Sequence, residues 1–406
     1  MIPDLCMLDK LVLAVPGVGG WVMFRTYTAR VAMLAGAAIA MTSAPARAGI
    51  YKVVYNFQIE PDGSGPYASL IEAGGNLYGT TGSGGAYASG TVFSINIKTG
   101  AEKIVIMFQN GPDGGYPHGN LAKIRGSLYG TTQYGGAYSS GTVFSVNPKT
   151  EAETAEYSFD GFPPYIPQSG LVDVDGVLFG TTLDDGFSGL GTLFSFNLKT
   201  GVGNIIYSFK GNSDGSGPYG ALLKVGGTLY GTTSGGGIYD AGTVFSLNPK
   251  TGSEAVVYSF KGNGDGDGPL SSLIGIGSKL YGTTVDGGIN NVGTVFSLDL
   301  KTGVETVVYS FKAGDDGAFP YAAVVDLSGV LYGTTYSGAA YSAGTIFAVN
   351  AKTGHESIVH SFGAGSDGNS PYSGLVDVGG TLYGTTHGGG DENCGGGCGT
   401  VFSYTP

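Results

Sequence analysis

The chain has 406 residues, of which 41% are hydrophobic and 12% aromatic, so it is too apolar for a disordered protein. Its 77 glycines follow no G-X-Y period, which excludes collagen. The formal net charge of −12 argues against nucleic acid and anionic membranes as partners, because both require basic patches.

Residues 1–48 have the pattern of an export signal. Arg25 and Arg30 precede the apolar run 31–41, and Ala46-Arg47-Ala48 resembles a cleavage site. Because this run is shorter than the roughly 20 residues that a membrane span requires, the pattern favours cleavage over anchoring. We expect the residues before Met23 to be an over-long start and the mature chain to begin near residue 49. That chain is expected in the periplasm or outside the cell.

A unit of about 51 residues then recurs seven times. The motif LYGTT, once LFGTT, begins at Leu77, Leu128, Leu178, Leu229, Leu280, Leu331 and Leu382. The motif GTVFS or a close variant keeps step with it at Gly90, Gly141, Gly191, Gly242, Gly293, Gly344 and Gly399. A third motif, usually YSF, completes the unit. Repeats of this length are typical of propellers or solenoids.

Each unit predicts four short antiparallel strands. In the fourth unit they are strand a at 221–225, strand b at 228–233, strand c at 242–247 and strand d at 254–260. Four such strands form one propeller blade, so we predict an all-β, seven-bladed propeller as a single domain at 49–406. The first strand, 51–57, matches strand d, whereas the chain ends on a strand c at 399–404. The N-terminal strand should therefore complete the last blade and close the ring.

The motifs LYGTT, GTVFS, N-x-KTG and YSF resemble the GloVer tandem repeat of bacterial exported proteins, over residues 51–404. Many members of that family carry a C-terminal sorting anchor. We expect this chain to lack one, so the resemblance implies a secreted or periplasmic protein that is not held in the membrane. A looser resemblance to pyrroloquinoline-quinone repeats implies a docking tryptophan in each blade. The only tryptophan, Trp21, precedes the repeats and argues against quinoprotein activity.

The b–c and d–a connections are long and should share one face, where we place the binding site. The candidate ligand-binding residues of the b–c loops are Tyr87, Tyr138, Phe187, Tyr239, Tyr341 and Asn290. Aromatic rings on glycine-rich loops can stack on sugars, although they can also simply cover the tops of the blades.

The d–a loops carry an aspartate followed by glycine at Asp62, Asp113, Asp214, Asp265, Asp316 and Asp367. One interpretation is a ring of carboxylates that binds calcium. The other is an Asx turn, in which each aspartate caps its own loop. Six d–a loops also have a recurring residue after their proline, which we expect to pack against the loop, namely Tyr67, His118, Tyr219, Leu270, Tyr321 and Tyr372.

Cys394 and Cys398 are expected to form a disulfide in an oxidising compartment. A metal site with His387, Asp391 and Glu392 is the alternative. The four histidines are dispersed, and none has an identifiable nucleophile as partner.

We therefore predict an exported, monomeric, non-enzymatic propeller that binds carbohydrate or an extracellular protein surface, with calcium as the sole candidate cofactor. The alternatives are a structural envelope or matrix protein and a secreted polysaccharide lyase or hydrolase. Such an enzyme would use unrepeated acids, namely Asp184, Asp185, Asp391 and Glu392.

Overall fold

The computed structural model describes residues 49–58, 61–160, 166–184, 186, 188–363, 365–390, 394 and 397–406. These residues form seven antiparallel blade sheets with the strand order a-b-c-d, the fourth with a fifth strand at Gly215–Pro218, and two further two-stranded sheets between loops. The predicted all-β, seven-bladed propeller is confirmed, and no α-helix occurs in the described part of the chain. The predicted export signal at 1–48 lies outside the described residues.

The strand bounds repeat closely from blade 1 to blade 7. Strand a spans Ile71–Ala73, Ala122–Ile124, Val172–Val174, Leu223–Val225, Ile274–Ile276, Val325–Leu327 and Val376–Val378. Strand b spans Asn76–Thr81, Ser127–Thr132, Val177–Thr182, Thr228–Gly236, Lys279–Thr284, Val330–Thr335 and Thr381–Thr386. Strand c spans Thr91–Asn96, Thr142–Val146, Thr192–Asn197, Thr243–Leu247, Thr294–Asp299, Thr345–Asn350 and Thr400–Thr405. Strand d spans Glu102–Met107, Glu153–Ser158, Val202–Ser208, Glu254–Ser259, Glu305–Ser310, Glu356–Ser361 and, for blade 7, Ile50–Asn56.

The ring closes through the two ends of the chain. Strand d of blade 7, Ile50–Asn56, pairs antiparallel with the last strand, Thr400–Thr405. Ile50 lies opposite Thr405, and Asn56 lies opposite Thr400. The predicted closure is confirmed, and it covers the edge that the last strand would otherwise expose.

Strands a line the axis, since strands a of neighbouring blades contact one another, and strands d lie outermost. The apolar core lies between adjacent blades. Phe209, which follows strand d of blade 3, packs edge-to-face on Phe245 in strand c of blade 4, with ring centroids 5.2 Å apart. Both rings are almost completely buried. The motifs YSF and GTVFS therefore recur because their phenylalanines fill the space between each blade and the next.

The glycine of LYGTT makes room for the phenylalanine of strand c. A Cβ on Gly79 would lie 2.6 Å from the ring of Phe93, which is closer than carbon atoms can approach. The same contact with the phenylalanine of its own blade is found at Gly130, Gly180, Gly231, Gly282, Gly333 and Gly384.

The two threonines of the motif bind in different directions. The second pairs with the threonine that begins strand c, as between Thr233 and Thr243, whose hydroxyls are 2.8 Å apart. The first reaches the next blade, as where Thr232 donates to the carbonyl of Ser271 over 2.9 Å. Strand b is thus fastened both within its blade and to the neighbouring blade.

The N-x-K-T-G segments are Asx turns between strands c and d. Asn248 Oδ1 accepts hydrogen bonds from the backbone N–H groups of Lys250 and Thr251. Gly252 follows with φ +71°, a conformation that glycine adopts without strain.

Candidate functional site: the long-loop face and the axial mouth

Both long connections of each blade emerge on the same side of the ring, which we call the long-loop face. The two loops pair with each other through their backbones. In blade 1, Gly63–Ser64 pairs with Ser83–Gly84, and in blade 6, Gly317–Ala318 pairs with Ser337–Gly338. The loops therefore form a supported surface for side chains.

Four tyrosines of the b–c loops stand in solvent at the same position of their blades. Their exposed fractions are 55% for Tyr87, 62% for Tyr138, 56% for Tyr239 and 68% for Tyr341. We call them the rim tyrosines.

Two other predicted ligand-binding residues of the b–c loops differ from the rim tyrosines. Asn290 is turned toward its own blade, where its amide donates to the carbonyl of Phe311 over 2.9 Å. Phe187 lies outside the described residues.

Each of the six predicted aspartates is hydrogen-bonded within its own loop. Asp214 Oδ2 accepts from the hydroxyl of Tyr207 and from the backbone N–H of Lys210, both at 2.9 Å. Asp62, Asp265 and Asp316 make the same two contacts with their own tyrosine and loop N–H. Asp113 and Asp367, whose strands d lack that tyrosine, keep the backbone contact.

A glutamate that begins strand d of the following blade adds a second carboxyl group near the aspartate. These residues are Glu102, Glu153, Glu254, Glu305 and Glu356. Each has a buried Oε1 that lacks a hydrogen-bond partner among the described residues. We call the arrangement of tyrosine, aspartate and glutamate between two blades a seam.

Burial, and then the charge of the neighbouring aspartate, raises the pKa of the seam glutamates. The pKa rises to about 7 for Glu102, Glu254, Glu305 and Glu356, and in the same direction for Glu153. No group of three or more His, Cys, Asp or Glu side chains in the described ranges is placed to hold a metal ion.

At two seams the glutamate that begins strand d is replaced by another residue. The third repeat has no aspartate at residues 161–167, and the next strand d has Gly203 in place of glutamate. A Cβ on Gly203 would collide with the ring of Tyr157. The aspartate and the glutamate are therefore lost together.

At the closing seam, Tyr51 takes the place of the glutamate. Its ring stacks on His360 with centroids 3.6 Å apart, and its hydroxyl donates to the carbonyl of Asp367. His360 Nε2 lies 3.3 Å from Asp367 Oδ2. Burial alone would raise the pKa of Asp367, but hydrogen bonds from His360 and the Gly363 N–H hold it below its usual value.

The side chains that follow the loop prolines converge on the axis. One residue from every blade surrounds a cavity of about 80 Å³ on the long-loop face: Tyr67, His118, Gln168, Tyr219, Leu270, Tyr321 and Tyr372. We call this opening the axial mouth. The expectation that these residues only pack their own loops is wrong, because they meet across blades.

One part of the mouth is a sandwich of rings from blades 7, 1 and 2. Tyr67 stacks on His118 with centroids 4.4 Å apart, and its hydroxyl lies 2.8 Å from His387 Nε2. A Cβ on Gly82 would lie 3.0 Å from His118 Nε2, so this glycine leaves room for the stack.

The neighbouring part is formed by blades 6 and 7. Tyr321 stacks on Tyr372 with centroids 4.4 Å apart. Tyr336 meets both rings edge-on, at 5.5 Å from Tyr321 and 5.3 Å from Tyr372. Together with the sandwich, these rings form a continuous aromatic wall.

The mouth is electrically neutral at neutral pH. Burial, with a smaller contribution from His387, lowers the pKa of His118 to about 4. Burial also lowers the pKa of His387 and raises the pKa of Tyr67, Tyr219 and Tyr372. The imidazoles are therefore unprotonated and the phenols keep their protons.

Tyr336 was missed by sequence reasoning, and His387 was considered only as a metal ligand, not as part of the mouth. They occupy the position directly after LYGTT, which differs in every blade: Gly82, Gln133, Leu183, Ser234, Val285, Tyr336 and His387. Alignment of the seven repeats on LYGTT would have shown this variation, which is the available signal.

The Cys394–Cys398 disulfide is confirmed, with Cα atoms 5.5 Å apart.

Of the acids considered for an enzyme, Asp184 is exposed, whereas Asp185, Asp391 and Glu392 lie outside the described residues. In the described ranges, no helix combines the length and apolar character required for crossing a membrane.

Comparisons with solved structures find similar propellers at low sequence identity. An oligogalacturonate lyase in complex with manganese is 12% identical, with a TM-score of 0.55 over 88% of this chain and 96% of its own. An oligogalacturonate lyase from Vibrio parahaemolyticus is 9% identical, with a TM-score of 0.54 over 88% of this chain and 96% of its own. An extracellular domain from B. thetaiotaomicron is 11% identical, with a TM-score of 0.57 over 86% of this chain and 39% of its own. At these identities the likeness shows the fold alone.

No curated protein matches the sequence. The model of the Gloeobacter/Verrucomicrobia repeat, by contrast, matches residues 36–186 and 167–402. This match includes nearly all of the propeller and its recurring motifs. The chain belongs to the Gloeobacter/Verrucomicrobia repeat family.

Proposed function

We propose that this protein is an exported, non-enzymatic binding propeller that holds carbohydrate through the rim tyrosines. The observation that carries the proposal is their exposure: Tyr87, Tyr138, Tyr239 and Tyr341 are all more than half exposed at one repeated position. An exposed phenol offers a flat apolar face to a sugar ring and a hydroxyl to its edge.

The circular arrangement supports binding to a repeating ligand. Each tyrosine provides a small contact, but several equivalent contacts on one rigid ring act together when the ligand is a polymer. Linked weak sites of this kind can raise overall affinity by roughly 10²–10⁴. A polysaccharide, or a glycan-coated surface, therefore suits this face better than a single free sugar.

Export is supported by the pattern of residues 1–48 and by the Cys394–Cys398 disulfide, since disulfides persist in oxidising compartments. We place the protein in the periplasm or outside the cell, as a monomer. The net charge of −12 directs it away from nucleic acid and anionic lipid. An extracellular protein surface is the other partner consistent with this location.

Calcium binding by the six loop aspartates stays a prediction. Calcium takes six to eight oxygen ligands, and each aspartate already accepts hydrogen bonds from its own loop. The seam glutamates supply one further carboxyl group at five of these positions. A calcium titration followed by calorimetry tests the prediction directly.

The proposal is tested by binding of the purified protein to a panel of insoluble polysaccharides and to a glycan array, with and without calcium. The variant that changes Tyr138, Tyr239 and Tyr341 together to alanine should lose at least about tenfold in affinity for any polymer that binds. Ile289→Ala is the matched control, because Ile289 is 82% exposed on the same kind of loop and has no aromatic ring.

Unchanged binding by the triple variant would overturn the role of the rim tyrosines. A protein that binds no glycan at all would overturn the carbohydrate ligand and favour the protein partner. Calcium-dependent binding would support the interpretation of the loop aspartates as calcium ligands over their interpretation as caps of their own loops.

A further inference from the structure

The axial mouth is a lined opening on the long-loop face, separate from the rim tyrosines. Its cavity of about 80 Å³ is bordered by residues from all seven blades. Because about 10–15 Å³ of such space is enough for one water, the cavity has room for several waters or for a polar group of a ligand.

The entrance has two unlike sides. The aromatic wall of blades 6, 7, 1 and 2 offers the stacked rings of Tyr67 and Tyr372. Blades 3 to 5 contribute Gln168, Tyr219 and Leu270. A ligand with one flat apolar face and one polar edge matches this asymmetry.

The mouth excludes charged ligands by its own chemistry. None of the described residues that line it is charged at neutral pH, because the pKa of His118 is lowered to about 4. An ion would lose its hydration there without gaining an opposite charge, which is strongly unfavourable. The net charge of −12 adds repulsion against anions.

An unsatisfied acceptor points to a hydrogen-bond donor. Gln168 is one of the residues that line the cavity, and its Oε1 is buried without a hydrogen-bond partner among the described residues. Buried acceptors in native proteins are normally paired, so an orphan beside a polar cavity indicates a place where a water or a ligand hydroxyl binds.

We propose that the axial mouth binds the neutral end of a carbohydrate chain. One hydroxyl or hydroxymethyl group enters the cavity and donates to Gln168, while the terminal sugar ring lies against Tyr67 and Tyr372. This inference rests on the carbohydrate ligand proposed above and adds recognition of a chain end to the side-on contact of the rim tyrosines.

The histidines provide the test, because the chain has only four. His118 and His387 border the mouth, whereas His355 lies beside a c–d turn and His360 lies in the closing seam. With ¹³C-labelled histidine, the four ring signals of the intact protein are followed by NMR during titration with glucose, galactose or mannose. Galacturonate serves as the charged probe.

We expect at least one neutral sugar to shift the His118 and His387 signals saturably while His355 and His360 stay fixed. Gln168→Ala should weaken that binding about fivefold, the equivalent of one hydrogen bond. The triple rim variant should leave the sugar-induced shifts unchanged, which separates this inference from the proposed function.

Three results would overturn the inference. They are galacturonate binding at the mouth as tightly as neutral sugars, the absence of shifts in a protein that still binds polysaccharide, and full affinity in Gln168→Ala. If the unaltered protein binds no polysaccharide but a neutral sugar still shifts the His118 and His387 signals, the rim proposal fails and the mouth stands.

Discussion

The repeated framework between blades and the axial mouth follow opposite rules. In the framework the same residues recur, since the paired threonines bond in every blade and five seams carry an aspartate with a glutamate. At the mouth, the residue after LYGTT differs in every blade, and the residue after the proline is a tyrosine in only four of the seven. Repetition marks what holds the ring together, and variation marks where one particular ligand is distinguished.

The strongest way to break the framework is to empty its core. Phe245→Ala should lower the free energy of unfolding by about 3–5 kcal/mol, because the ring is fully buried against Phe209. The control is Tyr239→Ala, whose ring is 56% exposed and whose removal should change stability by less than about 0.5 kcal/mol. Guanidinium denaturation measures both. Similar losses in the two variants would contradict the assignment of the core.

Alanine substitutions at Gly141 and Gly126 distinguish the cost of a steric collision from the cost of backbone strain alone. Gly141 has φ +94°, and a Cβ there would meet the carbonyl of Thr132 and, in the next blade, Pro167. Gly126 has φ +93° with nothing within 4 Å. Gly126→Ala should cost about 1 kcal/mol, and Gly141→Ala about 3 kcal/mol, because only the latter adds a collision. Equal effects on the melting temperature would show that the added Cβ at Gly141 meets no collision with Thr132 or Pro167.

Substitutions at Thr233 and Ser234, which are adjacent in sequence, compare the stability contributed by a framework position and by the varied position after LYGTT. Thr233 is fully buried, and its hydroxyl meets Thr243 Oγ1 and the Thr243 N–H, so Thr233→Ala should cost about 2 kcal/mol. Ser234, at the varied position, donates only to the carbonyl of Gly217, and Ser234→Ala should cost about 0.5 kcal/mol. Chemical unfolding curves measure the loss of stability in both variants. A larger loss in Ser234→Ala than in Thr233→Ala would contradict the assignment of Thr233 to the framework.

The seams should make stability depend on pH. The folded-state pKa of Glu102, Glu254, Glu305 and Glu356 is about 7, above the usual value of 4.5. Because the folded state holds these protons more tightly, the stabilisation is complete below pH 4.5 and is lost as pH rises through about 7. His118 acts oppositely, since its lowered pKa removes stability as pH falls below 6.5.

Above about pH 6.5 only the glutamates among these groups still differ in bound protons between the folded and unfolded states, so the melting temperature should fall between about pH 6.5 and pH 7.5 and level off above that. Glu254→Gln combined with Glu305→Gln should flatten this slope. Glu151→Gln is the control, because Glu151 pairs with Lys103 at the surface, outside the seams. A slope that is unchanged in the double variant would show that the seams do not titrate in this range.

The fold could be predicted from the sequence because its signals are local and repeated. LYGTT, GTVFS and the strand-like segment at 51–57 each declare a strand within a few residues, and seven copies make the number of blades plain. The disulfide followed from two cysteines that are four positions apart in the sequence. No contact between distant segments was required for these predictions.

The mouth could not be predicted in the same way, because it forms only when the ring closes. Tyr67 and His387 share a hydrogen bond although they are 320 residues apart in sequence. The seam glutamates likewise meet the aspartate of the preceding blade, a relation that no local pattern contains. The loop aspartates were recognised because an Asx turn is complete within one loop.

The closing pair of strands sets the order in which the molecule can be completed. Strand d of blade 7 is the first strand of the propeller to be synthesised, and its partner, Thr400–Thr405, is the last. Until that partner is available, the first strand has no ladder to join, and the other six blades must bring the two ends together. Contacts of such long sequence separation form slowly. Truncation at either end would therefore leave an open crescent with two free edges, prone to pairing with another copy of itself.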